Sequence, residues 1–228
     1  MRDGYDNSPF NPVPPEVWAL VLPIMAMEIV LNLAVSGYTG GAAGVGWRQD
    51  ALQRFALAPG MLQEMISTGR WHADYAMRLV TYSFVHLNFT HALFVGIFTL
   101  ALGKFVTEVF RPWAFVLVFF AASIVGGVVY SLIPGVRLAL IGGYPAAYGL
   151  IGAFTFIIWA RLGAMHANRA RAFSLIGFLM GIQLVFGLLF GGGYDWIADL
   201  AGFATGFGLS FVVAPGGAAN ILARLRQR

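Results

Sequence analysis

Six apolar runs dominate this chain, at residues 17–35, 84–103, 113–132, 141–160, 172–191 and 196–214, each 19 or 20 residues long. A helix rises 1.5 Å per residue, so each run matches a hydrocarbon core of ~30 Å. Backbone amides in lipid must bond within their own segment, and open runs of this kind therefore fold as helices. Only 11% of the residues are charged, against ~25% in a soluble domain. The expected fold class is an all-α membrane protein, a six-transmembrane-helix bundle. A soluble domain, a disordered chain and a collagen-like chain are excluded. With no cysteine in the sequence, disulfides, thiolate metal sites and cysteine nucleophiles are excluded too.

The spans define the organisation: a polar tail over 1–16, a membrane domain over 17–214 and a basic tail over 215–228. The first tail lacks a basic n-region and a small-residue cleavage site, so it does not read as a removable signal peptide. Residues 36–83, between the first two spans, mix Trp47, Phe55, Met61, Met65 and Trp71 with scattered charge. That composition suits an interfacial insertion of short amphipathic helices. With the N-terminus inside, nine Lys and Arg side chains fall on the inner side (Arg2, Lys104, Arg111, Arg161, Arg169, Arg171, Arg224, Arg226 and Arg228). Five fall outside (Arg48, Arg54, Arg70, Arg78 and Arg137). The bias places both termini in the cytoplasm and accounts for the net charge of +4 without a nucleic-acid patch. A bacterial inner membrane is the expected location.

Polar groups inside spans are few, and each is a candidate for function. They are Glu28, His86, Asn88, His91, Gln183 and Asp199, with Tyr144 and Tyr148 as phenolic donors. Asp199, Gly202 and Gly206 share one helical face, and so do Tyr144, Tyr148 and Gly152, with Gly149 beside them. Small residues on such faces let backbones approach closely, so Gly149, Gly202 and Gly206 are expected to pack helices. If the two faces meet, Tyr144 donates to Asp199. His86 and His91, five residues apart on a continuous helix, would diverge by about 140°, which argues against a metal site; buried, hydrogen-bonded histidines are expected. Glu28 reads as an inward carboxyl bonded to a neighbour rather than part of a proton path, and Gln183 as an interhelical hydrogen bond. Ser83, three residues before His86, allows a Ser-His pair that nothing in the sequence orients. Residues 191–196, Gly-Gly-Gly-Tyr-Asp-Trp, form either a hinge or a simple tight connection.

Three stretches together carry a resemblance. Residues 78–95, Arg-Leu-Val-Thr-Tyr-Ser-Phe-Val-His-Leu-Asn-Phe-Thr-His-Ala-Leu-Phe-Val, are similar to the rhomboid signature entering the second transmembrane helix. Residues 142–149, Gly-Gly-Tyr-Pro-Ala-Ala-Tyr-Gly, resemble the Gly-x-Ser-Gly motif that opens the fourth, and Asp-Leu-Ala-Gly at 199–202 resembles the His-x-x-Gly of the sixth. Rhomboids are intramembrane serine proteases with a Ser-His dyad and oxyanion-stabilising His and Asn on the second helix. The resemblance therefore implies a rhomboid-like bundle and puts Tyr144 at the nucleophile position and Asp199 at the base position. It puts Val95 at the oxyanion Asn position and His91 at the oxyanion His position, with His86 and Arg78 as framework matches. It also implies that the loop at 191–196 borders the route by which a substrate helix arrives.

Those substitutions argue against proteolysis. A phenol has a pKa near 10 and no base remains beside it, and loss of one oxyanion donor alone costs ~2.7 to 4 kcal/mol. Pro145 is comfortable in a first helical turn, yet it biases Tyr144 away from helical geometry. The expected function is that of a rhomboid pseudoprotease, binding transmembrane segments of client proteins and affecting their stability, assembly or quality control. His86, His91, Tyr144, Tyr148, Trp196 and Asp199 would form the client cleft. The alternatives are a rhomboid-type intramembrane endopeptidase with another nucleophile, and a proton-linked transporter resting on Glu28 and Asp199, against which the single-copy six-span pattern argues. No cofactor and no metal are expected; the partners are client helices and the bilayer, with oligomeric state left open.

Overall fold

The computed structural model of the protein describes residues 12–215. The tails at 1–16 and 215–228 lie outside the described residues, apart from 12–16 and 215. Among the described residues ten α-helices follow one another: α1 (Pro15–Val35), α2 (Gly41–Gly44), α3 (Trp47–Phe55), α4 (Pro59–Thr68), α5 (Ala73–Thr81), α6 (Phe89–Thr107), α7 (Pro112–Ser131), α8 (Tyr144–Ala164), α9 (Ser174–Phe190) and α10 (Asp195–Val213). Six of them, α1, α6, α7, α8, α9 and α10, are long and apolar enough to cross a membrane, α9 together with the 3-10 turn Arg169–Phe173 before it. The molecule is a six-helix membrane bundle with a helical insertion after its first span.

Proline and asparagine set where several spans begin. Pro15 and Pro112 occupy the first position of their helices, where the missing N–H costs nothing. Asn88 caps α6, its side-chain oxygen accepting from the His91 N–H at 2.9 Å. The second span thus starts at Phe89, not at residue 84, because Tyr82–Phe84 form a 3-10 turn and an extended linker leads into the cap. The fourth starts at Tyr144, not at 141. Tyr144 is itself helical, with Pro145 second in the helix, so the bias expected from proline is overridden.

The centre of the bundle is a seam between α8 and α10, flanked by α7. A Cβ at Gly202 would run into the Pro145 backbone, one at Gly206 into Gly149 O, and one at Gly152 into the backbone of Phe203 and Phe207. Two helices meet here backbone to backbone, an approach that lipid-embedded helices use because no hydrophobic force draws them together. Val17, Phe115, Phe119 and Leu150 belong to the main hydrophobic core of the bundle. The α9 helix differs. Among its residues only Ile176 is fully buried, and beyond Gln183 nearly every side chain, Phe186 and Leu188 included, is exposed.

The insertion is tied down by polar bonds. Leu57 and Leu140 exchange backbone hydrogen bonds of 3.1 and 2.8 Å as an isolated antiparallel bridge. The Gly142 N–H donates to Tyr82 O at 2.9 Å. The Tyr82 hydroxyl donates to Ser123 O at 2.7 Å. Arg78 donates to Gln53 O and Ala56 O, at 2.8 and 3.0 Å, joining α5 to the end of α3. These contacts draw α5 and the 132–143 loop together, over the end of the bundle where α6 and α8 begin.

Candidate functional site

At that end, a short linker carries His86 and the first turn of α6 carries His91. His86 is outside the helix, so the two rings do not diverge: they meet edge to face with centroids 4.9 Å apart. Tyr144 lies on the other side of His91, nearly parallel to it at 4.8 Å. The result is a file of three rings. Its tightness depends on Gly142, whose φ of +93° and lack of a side chain leave room for the His91 imidazole.

His86 is 1% exposed and supports the site from behind rather than lining it. Its Nε2 accepts from the Gly143 N–H at 3.3 Å, which fixes the neutral ring with the proton on Nδ1. Burial, reinforced by the neighbouring His91 and Arg48, lowers its pKa to about 3. Val95 is fully buried, and a Cβ at Gly143 would touch it. The Ser83 hydroxyl faces Ser123 at 2.6 Å rather than His86, so no Ser-His pair forms there.

Asp199 does not bond to Tyr144. Its Oδ2 accepts from the Gln183 side-chain amide at 2.9 Å, and Gln183 Oε1 accepts from the Tyr148 hydroxyl at 3.2 Å. A chain of polar groups thus links α8 through α9 to α10. The direct contact expected from helix faces fails because Tyr144, at the very start of α8, turns its ring to His91, while Tyr148 one turn deeper reaches the amide. The Tyr144 hydroxyl makes no hydrogen bond among the described residues.

Two cavities meet at Tyr144, Gln183 and Asp199. One, of about 360 Å³, has Phe94, Phe98, Leu179 and Ile182 as its apolar walls. The other, of about 390 Å³, lies nearer the end of the bundle and adds His91, Tyr130, Leu138 and Asp195. No serine, threonine, lysine or arginine lines either one. Trp196 lines a separate hollow with Gly191, Gly192 and Gly193, which shares Gln183 with both cavities and Asp195 with the second. Among the described residues no group of three or more His, Asp or Glu side chains is placed to hold a metal ion.

The other buried carboxyl, Glu28, is fully engaged. Arg48 forks onto both its oxygens at 3.0 and 2.8 Å, Asn32 donates to Oε1, and Arg48 also donates to His86 O at 2.9 Å. Sequence reasoning missed Arg48. The signal available was an unbalanced acid in a span followed by four arginines in the next segment, Arg48 the first of them.

This arrangement is a six-helix membrane bundle with an insertion after the first span and a polar cluster where α6, α8 and α10 converge. The family model for the rhomboid domain matches residues 73–216, and the chain belongs to the rhomboid family. A comparison with curated proteins found no significant match.

Proposed function

We propose that this protein is a non-proteolytic rhomboid that binds transmembrane segments of client proteins and affects their stability, assembly or quality control. One observation carries the reading. At the positions where the family resemblance puts nucleophile and base, Tyr144 stacks on His91 and Asp199 accepts from Gln183. A serine protease needs a hydroxyl within reach of a base and a place for the oxyanion; here the cavity walls hold no serine, and Val95 stands in the place of an amide donor. What persists is an apolar recess, bordered by the exposed Phe94 and Ile182, that a neighbouring helix in the bilayer can address.

The proposal includes an orientation. An even number of crossings brings both ends to one side, and the nine-to-five excess of Lys and Arg there supports a cytoplasmic face. We place the protein in a bacterial inner membrane, with the helices of residues 36–83 at its outer interface.

The test is cleavage of a panel of rhomboid-type transmembrane substrates in proteoliposomes. The natural protein should leave all of them intact, and the Tyr144→Ser, Asp199→His, Val95→Asn variant should regain cleavage at the same recess. Product formed by the natural protein would overturn the reading.

A further inference from the structure

We propose that Asp199 recognises a lysine or arginine carried inside the client's transmembrane helix. The inference rests on the client-binding reading and names the chemistry that the recess selects.

Asp199 is 2% exposed, yet it forms part of the wall of both cavities. Its bonds are incomplete. One oxygen accepts from the neutral amide of Gln183, the other accepts nothing among the described residues, and no cation pairs with it. Glu28 shows what a satisfied buried carboxylate looks like in this fold, with Arg48 bidentate and Asn32 beside it. A carboxylate in lipid is costly without a partner, and such groups characteristically face a cavity or another charge. Asp195 stands one turn nearer the mouth on the same face of α10 and lines the second cavity beside His91, so that cavity presents two acids and no lysine or arginine.

A client helix in the bilayer lies against the exposed Phe94 and Ile182 at the border of the recess, and a single long side chain from it reaches in. Lysine and arginine have the required apolar stem for the Phe94 and Phe98 walls and a cationic head for Asp199.

Depth gives selectivity. Asp199 is four residues into α10, about 6 Å below its start, on the side opposite the chain ends. Properly inserted helices keep their Lys and Arg on the cytoplasmic side. A basic residue at that depth on the other side marks a span that lacks its assembly partner, and pairing with Asp199 removes much of the cost of burying it.

The experiment uses the full-length protein in phosphatidylcholine vesicles with fluorescent polyleucine transmembrane peptides, read by energy transfer. A peptide bearing one lysine at the depth of Asp199 should bind at least tenfold more tightly than the all-leucine peptide, and moving the lysine two turns deeper should abolish the gain. Asp199→Asn, which keeps an acceptor for Gln183, should remove the preference. Equal binding of the lysine and leucine peptides, or a preference that survives Asp199→Asn, overturns the inference while client binding stands. Failure of every peptide to bind the natural protein removes the underlying reading instead. Loss of the preference when phosphatidylethanolamine is added would assign the carboxylate to a lipid amine and also overturn the inference. The depth series needs no variant, so a misfolded Asp199→Asn protein leaves the test intact.

Discussion

Glu28 and Asp199 are both buried in the bundle, 1% and 2% exposed, but their surroundings differ in kind. Around Glu28 every polar need is met within the fold: an arginine fork, an asparagine, and through that arginine the His86 carbonyl. Around Asp199 the fold supplies one amide and a cavity. A completed ionic cluster fastens the insertion to α1 and to the linker before α6, whereas an incomplete one leaves capacity for something from outside. Burial alone does not mark a site; the unsatisfied remainder does.

The harshest way to break the comparison is to make Glu28 resemble Asp199. Arg48→Ala strands a charged group and should destabilise the detergent-solubilised protein by about 3 kcal/mol or more, whereas the paired Glu28→Gln, Arg48→Met variant should recover most of the loss. Thermal unfolding followed by circular dichroism checks both, and an unchanged Arg48→Ala protein would end the claim that the cluster fastens anything. Next comes pH. His86, whose carbonyl accepts from Arg48, stays neutral when folded down to about pH 3 but titrates near 6.5 when unfolded. The unfolded chain therefore binds the extra proton in that window, and stability falls as pH drops through it. Between about pH 6 and 4.5 the contribution is about 2 kcal/mol, seen as a steeper decline of melting temperature in the natural protein than in His86→Gln.

Smaller effects are expected on the other flank. Asp199→Ala orphans only the Gln183 amide and should cost about 1 kcal/mol, a fraction of the Arg48→Ala loss in the same melt. Tyr144→Phe removes a hydroxyl without a partner and should alter stability by less than about 0.5 kcal/mol; a larger loss would mean that the phenol holds the fold through its oxygen and not through the His91 stack.

The six spans were legible because lipid enforces length and hydropathy, and Gln183 was legible as a helix-to-helix bond because an amide in a span must find one. The arrangement of the site was less so. Residues 84–88 read as the start of an apolar run, and Asn88 as a span residue instead of the cap it is, which misplaced His86 and hid its contact with His91. The Glu28–Arg48 pair joins positions 20 residues apart across a segment with no clear period, and the Ser83–Ser123 contact joins positions 40 apart. Periodicity assigns faces but not which tyrosine of a face reaches across, and Tyr148, not Tyr144, was the one that did.

The seam of α8 and α10 has a topological consequence. These helices are the closest pair in the bundle, yet α9 is the stretch of chain that joins them, so it is a strap buckled at both ends to the seam while contributing little to it. A strap of that kind can slacken or swing without unpicking the clasp. A break in the backbone between α8 and α9 would accordingly leave two pieces held together by glycine-to-backbone contact, with the strap free at one end.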